Sequence, residues 1–221
     1  MIAFDQVTKF YPVAGGRKRI LDDASFAFSA GHNYGVLGGN GSGKSTLLRL
    51  ISGSEHPNRG RVRRRARVSF PLGFSGTFHS HLSGRQNATF VARVYGEDAA
   101  RVTRFVADLT ELGPYLDKPI QTYSSGMQAK LAFGVSLAID FDVYLVDEAT
   151  EVGDVRFRAK CAAAFRERAT RSDIIMVSHN SHTIRAWCDR GAVLAGGRLE
   201  LFDTVDEAIA VHRRIMGSEH G

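Results

Sequence analysis

The sequence predicts an α/β fold with central parallel strands, an antiparallel β layer and a helical insert. Three observations carry the prediction. Tyr34-Gly35-Val36-Leu37 is a short apolar run that leads through a glycine-rich turn into Leu47-Leu48-Arg49-Leu50-Ile51, a helical pattern that stops near Gly53. Val143-Tyr144-Leu145-Val146 and Ile174-Ile175-Met176-Val177 are β-rich runs of the kind buried on both faces of a parallel sheet, and each ends in polar residues, where such folds place their ligands. Between Ser83 and Leu116 the period changes: Val91, Val94 and Tyr95, then Val102, Phe105, Val106 and Leu109, recur at helical steps.

The remaining elements follow in order. Residues 2–37 fall into short strand-like runs broken by the turn Pro12-Val13-Ala14-Gly15-Gly16, and Ser25-Phe26-Ala27-Phe28 alternates with period two, which suits an antiparallel layer. Val193-Leu194 and Arg198-Leu199-Glu200-Leu201 suggest a closing hairpin through Gly196-Gly197, and Val205 to Met216 make a last helix. At 221 residues the chain suits one large domain. With 43% hydrophobic and 24% charged residues, its composition excludes disorder on a large scale. The longest nearly apolar run, Leu131 to Ile139, meets Asp140 well short of the roughly twenty residues that a membrane-spanning helix needs. Met1-Ile2-Ala3-Phe4-Asp5 lacks the basic region and apolar core of a secretory signal. Cys161 and Cys188 show no metal-ligand spacing, so reduced thiols in a cytoplasmic protein are expected.

Lysine and arginine total 29 against 23 acidic residues, a net charge of +6, and a basic surface attracts polyanions or acidic lipid head groups. Arg59, Arg61, Arg63, Arg64, Arg65 and Arg67 crowd together with interleaved valine and alanine, which reads as a hairpin strand with a solvated arginine face. Nucleic acid, anionic lipid or a membrane-bound partner fits the same charge, but no recognised nucleic-acid-binding motif accompanies it.

The chemistry starts at Gly38-Gly39-Asn40-Gly41-Ser42-Gly43-Lys44-Ser45-Thr46, which fits the phosphate-binding loop pattern in the required order of strand, loop and helix. Closely spaced glycines let backbone N–H groups curl around phosphate oxygens, and the new helix directs its positive end at the anion. Lys44 reaches the outer phosphates and Ser45 can hold Mg²⁺. A triphosphate ligand is therefore expected. Asp147-Glu148 follows an apolar run, and a carboxylate at a strand's end can hold Mg²⁺ through water while a second orients or deprotonates the attacking water. Asp147 is assigned to the metal and Glu148 to the general base.

Tyr123-Ser124-Ser125-Gly126-Met127-Gln128 lies between these landmarks, and His179 follows the strand-like Met176-Val177 and Ser178. The order of phosphate loop, Ser-x-Gly element, Asp-Glu pair and histidine resembles an ATP-binding cassette (ABC) ATPase, over essentially the whole chain. The resemblance implies a P-loop NTPase (RecA-like) core with its β layer over residues 1–78 and 140–221, and a helical subdomain over 79–139. It implies that Ser124, Ser125 and Gly126 close over ATP held by the phosphate loop of a second copy, with the following helix adding donors. His179 matches the family's switch histidine, which contacts the γ-phosphate. Asp154 matches the aspartate of its dimer-contact loop, and Tyr11 the aromatic residue that stacks on adenine.

The family's usual Leu-Ser-Gly-Gly-Gln appears here as Tyr123-Ser124-Ser125-Gly126-Met127. The glutamine it usually carries after the phosphate-loop helix is missing from Val68-Ser69-Phe70-Pro71-Leu72-Gly73-Phe74, and Gln86 lies too far on to replace it. Phe70-Pro71-Leu72, Ser83-Gly84-Arg85-Gln86-Asn87, the Tyr123 to Met127 element and Asp147-Glu148-Ala149-Thr150-Glu151-Val152-Gly153-Asp154 together resemble the ATPase subunits that export capsular polysaccharide in Gram-negative bacteria. The resemblance implies a homodimer that binds ATP and Mg²⁺ and docks on a separate polytopic permease at the cytoplasmic face of the inner membrane. The permease complex, rather than this subunit, would handle the lipid-linked polysaccharide. The residues past His179 leave room for a final hairpin and helix, so no glycan-binding domain is expected there. Two readings stay open: the same engine serving O-antigen, teichoic acid, lipid or small-molecule transport, and a soluble ABC ATPase acting on nucleic acid. The second usually needs paired cassettes or a long coiled-coil insertion, and neither is present.

Overall fold

The computed structural model describes residues 1–73, 78–147 and 154–218. These form two compact units: 1–71, 142–147 and 172–218 in the first, and 72–73, 78–141 and 154–171 in the second.

In the first unit the chain forms β1 (Ile2–Val13), β2 (Gly16–Phe28), β3 (Tyr34–Leu37), α1 (Lys44–Ser52), β4 (Arg59–Arg64) and β5 (Val68–Pro71). Antiparallel β2-β1-β4 make a three-stranded sheet. This is the β layer that period-two alternation predicts, and the arginine-rich segment supplies its third strand. A six-stranded sheet has the order β5-β6-β7-β3-β8-β9, where β6 is Val143–Val146, β7 Asp173–Val177, β8 Arg190–Ala195 and β9 Arg198–Phe202. Strands β5, β6, β7, β3 and β8 pair in parallel, while β9 closes an antiparallel hairpin through Gly196 and Gly197.

The apolar runs are buried because both faces of the central strands are covered: β3 and β6 are buried along their whole length. Phe4, Phe28, Tyr34, Leu47, Leu48, Leu145 and Ile175 belong to one continuous core. Phe4 stacks on Phe26 with ring centroids 4.4 Å apart, and Phe28 meets Tyr34 edge-on at 5.0 Å.

The arginine cluster divides by task. Arg63 pairs with Asp5 at 2.7 Å. Arg64 turns to the end of α1, where its Nε donates to Ile51 O at 2.6 Å and its Nη2 to Leu50 O. A cation on these last carbonyls stabilises the helix's negative end. Arg61 and Arg65 lie exposed, as a solvated face requires.

Strand β5 sits at the sheet edge, where Pro71 is tolerated because it need not donate to a ladder. Pairing with β6 slips between Val68 and Pro71, and the buried Ser69 Oγ fills the gap by accepting from Leu145 N at 2.9 Å.

The second unit carries α2 (Gly84–Val94), α3 (Ala99–Thr110), α4 (Ser125–Ala138) and α5 (Val155–Ala169). Each begins at a side-chain cap: Ser83, Asp98, Ser124 and Asp154. Gln86 completes a capping box with Ser83, accepting from Ser83 N at 2.8 Å, which gives this glutamine a structural task. Helix α4 is buried at every position from Leu131 to Ala138, so its apolar run is core. Arg168 on α5 is 6% exposed, donates to Leu137 O at 3.1 Å and pairs with Asp140. In the first unit, α6 (Ser181–Trp187) and α7 (Val205–Ser218) complete the chain.

Both cysteines are free thiols, and burial pushes Cys161 and Cys188 up to about 12. Ser69→Ala removes the acceptor of a buried N–H, so urea denaturation is expected to show a loss of about 1–3 kcal/mol.

Candidate functional site

Because β3, β6 and β7 run parallel, with Val36 beside Val177 and Val146 beside Met176, their following turns leave the sheet on the same side. Gly38 follows β3, Asp147 follows β6, and Ser178 and His179 follow β7. The strand order therefore collects three sequence-predicted polar segments at one edge. His179 is exposed there, beside Ser178, whose Oγ accepts from Asn180 N at 3.0 Å.

The turn into α1 is made of backbone. Gly43, its N-cap, has φ of 109° and offers no side-chain cap. A Cβ at Gly43 would stand 2.4 Å from Ile20 Cγ2, and one at Gly38 would stand 2.6 Å from Leu194 O. Side chains are thus excluded, leaving the positive end of the helix open to an anion. Ser42 Oγ is buried and makes no hydrogen bond among the described residues. A hydroxyl in that position fits a ligand that accepts hydrogen bonds, such as a phosphate. Lys44 Nζ reaches back over the loop and donates to Gly38 O at 2.7 Å and Gly39 O at 3.0 Å. Burial lowers the pKa of Lys44, and the negative charge of Asp147 opposes that shift.

A cavity of about 370 Å³ opens here, and Tyr11, Lys44, Ser45, Thr46 and Asp147 all line it, together with Asn40, Gly41 and Gly43. Gly38 and Ser42 line a neighbouring cavity with Leu194, His212 and Met216. The Ser45 hydroxyl and the Asp147 carboxylate are hard oxygen donors, the kind that suit Mg²⁺. Among the described residues no cluster of three or more His, Cys, Asp or Glu could hold a metal alone. Mg²⁺ commonly keeps water and takes phosphate oxygens beside one or two protein donors, and Ser45 and Asp147 fit that role. Glu148 lies outside the described residues.

Sequence reasoning missed Lys18 and Ile20, which line the same cavity from β2. The hairpin pairs Tyr11 with Lys18 and so puts both on one face, while Phe10 and Arg19 pair on the other. Lys18 Nζ would lie 3.3 Å from a Cβ at Gly41, a second cation at the phosphate loop. Only the register reveals it, because Arg17-Lys18-Arg19 reads in sequence as an ordinary basic stretch.

Also missed was the support under Tyr11. Its hydroxyl donates to Glu55 Oε1 at 2.5 Å and accepts from Arg49 Nη2 at 3.1 Å. Arg49 and Lys9 pair with Glu55 at 2.8 and 2.6 Å. Burial works against a charged Glu55, but hydrogen bonds from Arg49, Lys9 and Tyr11 outweigh it and hold the carboxyl at about 2. Glu55 titrates below its ordinary value of 4.5, so the network's contribution is complete above that range and disappears as pH falls towards 2.

The second unit presents the Ser-x-Gly element at the start of α4. Ser124 is exposed and its Oγ accepts from Met127 N at 3.2 Å, while Ser125 and Gly126 are exposed in the first turn. Asp154 caps α5 by accepting from Phe157 N at 2.8 Å and pairs with Lys130 at 2.8 Å. The Lys130 ammonium, with the helix amide, holds the Asp154 carboxyl at about 2.

Fold and site together define a phosphate-loop nucleotide-binding protein. Residues 21–151 match the family model described as ABC transporter, so the chain belongs to the ABC transporter family. It is similar to the capsule polysaccharide export ATP-binding protein CtrD of Neisseria meningitidis serogroup B, 44% identical over 94% of this chain and 96% of that protein. It is similar to the polysialic acid transport ATP-binding protein KpsT of Escherichia coli, 41% identical over 97% and 99%. An O-antigen export system ATP-binding protein, RfbB of Klebsiella pneumoniae, is 34% identical over 97% of this chain and 89% of that one. In fold it resembles a dimeric ATP-binding cassette solved in a post-hydrolysis state with ADP and phosphate, with a TM-score of 0.75, 18% identity, and coverage of 93% of this chain and 99% of that chain.

Lys44→Ala removes the cation of the phosphate loop, and calorimetric titration with MgATP is expected to show an affinity loss of at least about tenfold with an unchanged circular dichroism spectrum.

Proposed function

We propose that this chain is the ATP-hydrolysing subunit of an exporter of capsular polysaccharide. The observation that carries the reading is near-complete coverage at 41–44% identity by proteins named for capsule polysaccharide export and polysialic acid transport. The gathering of Lys44, Ser45, Thr46 and Asp147 in one cavity supports the ATP-binding part of it.

In the proposed cycle two copies enclose ATP. Each phosphate loop holds a triphosphate, and Ser124, Ser125 and Gly126 of the other copy close over it. Their exposure at an N-terminal helix turn supports that role. Tyr11 stacks on the adenine, while Ser45 and Asp147 would hold Mg²⁺, which would supply charge neutralisation on the phosphates. Glu148 takes a proton from water as the water oxygen bonds to the γ-phosphorus and the bridging oxygen leaves with ADP. His179 contacts the γ-phosphate, and Asp154 lies at the dimer contact. Positioning and charge neutralisation do most of the work.

Docked at the cytoplasmic face of the inner membrane, the dimer closes and opens, and a separate polytopic permease converts that cycle into movement of a lipid-linked polysaccharide. No helix among the described residues is long and apolar enough to cross a membrane. Phe90 and Val94, one turn apart on α2, are 57% and 62% exposed, and such apolar surface suits burial against a partner. Within the basic cluster, Arg63 pairs with Asp5 at the surface and Arg64 caps the end of α1.

Glu148→Gln is expected to keep ATP binding, to accumulate a dimer with MgATP on size-exclusion chromatography, and to abolish steady-state phosphate release. Full turnover of that variant assembled with its permease would exclude Glu148 as the base.

A further inference from the structure

We infer that Glu55 is a positioning residue for base recognition, holding the Tyr11 ring at the angle a purine meets through a hydrogen bond to its hydroxyl. The inference rests on the reading of Tyr11 as the adenine platform.

Tyr11 lies near the end of β1, two residues before the hairpin turn, where the ribbon carries little packing of its own. A phenylalanine would fill the same space, so the hydroxyl needs a reason. It donates to Glu55 Oε1 at 2.5 Å, and Glu55 is fixed in turn by Arg49 Nε at 2.8 Å and Lys9 Nζ at 2.6 Å. Lys9 is only 7% exposed and also donates to His56 O at 2.9 Å, so this cation is locked in place. Its ammonium lies 5.0 Å from the Tyr11 ring centroid and occupies one face. The ring itself lines the cavity of the phosphate loop. Tethered at its hydroxyl and backed by a cation, the ring is restricted to a narrow set of orientations before any base arrives. Ordering that is complete in the free protein need not be supplied on binding.

The phosphate end meets this network at one residue, Thr46, whose Oγ1 accepts from Arg49 Nη2 at 3.0 Å and lies 3.4 Å from the Tyr11 hydroxyl. Lys44 is held by the loop carbonyls of Gly38 and Gly39, and among the described residues Glu55 bonds to neither Thr46 nor Lys44. Removing Glu55 should therefore weaken recognition of the base and leave binding of the phosphates intact.

The test compares Glu55→Ala, Glu55→Gln, Tyr11→Phe, Tyr11→Ala and the Glu55→Ala/Tyr11→Phe double variant, with thermal melts confirming the fold. Glu55→Ala and Tyr11→Phe are each expected to raise the KM for ATP about tenfold with kcat within about twofold, the double variant being no worse than either single one. Glu55→Gln, which keeps an acceptor, should fall between wild type and Glu55→Ala. Affinity for inorganic tripolyphosphate, which has no base, should stay at the wild-type value in all of them. If Tyr11→Ala raises the KM while Tyr11→Phe and Glu55→Ala do not, the platform stands and Glu55 does not position it. An unchanged KM in Tyr11→Ala rejects the platform and the inference together. A fall in tripolyphosphate affinity in Glu55→Ala equal to the fall for ATP also rejects the inference, because Glu55 would then support the loop in general.

Discussion

The structure depends on a stretch of chain whose backbone must stay uncovered at Gly38 and Gly43. Between β3 and α1 the turn is pressed against Ile20 and Leu194, so a Cβ at Gly43 or Gly38 has nowhere to go. That crowding keeps the backbone bare at the point where the helix dipole emerges. The surrounding elements can be understood from it: β3 is buried at all four positions because it must hold the turn still, and Leu47, Leu48, Leu50 and Ile51 of α1 are buried along the same core. The parallel neighbours β6 and β7 bring Asp147 and His179 to the same edge.

Much of this was legible in the sequence because it is written in local patterns. The phosphate loop is contiguous, the runs 143–146 and 174–177 are short and apolar enough to need a doubly covered sheet, and Gly196-Gly197 marks its hairpin unaided. Ser124 shows the limit of the same approach. In sequence it belongs to a phosphate-contacting element; in the structure of one copy its Oγ caps its own helix. A helix cap and an anion site use the same exposed N-terminal turn, so the pattern alone does not separate them.

What stayed hidden depends on pairing between distant residues. Lys18 joins the phosphate-loop cavity through its register with Tyr11 across the hairpin. Glu55 meets Lys9 and Tyr11 from 46 and 44 positions away, and nothing in Ser54-Glu55-His56 marks it as more than a surface acid. Arg64 reads as one of a row of solvated arginines, yet it turns onto the last carbonyls of α1. Alternation along a strand says which face a residue takes, but not what waits on that face.

The inward turn of Arg64 has a kinetic meaning. With a guanidinium on the carbonyls of Leu50 and Ile51, the negative end of α1 is already neutralised from within the protein. The field of the helix is therefore lopsided, positive at the loop and quiet at the rear, and Lys18 and Lys44 add to the positive side. Such a field draws a polyphosphate in from solution before any contact is made, and added salt weakens it over distances on the order of 10 Å. A residue at the opposite end of the helix from the loop thus helps shape the field that an approaching polyphosphate meets.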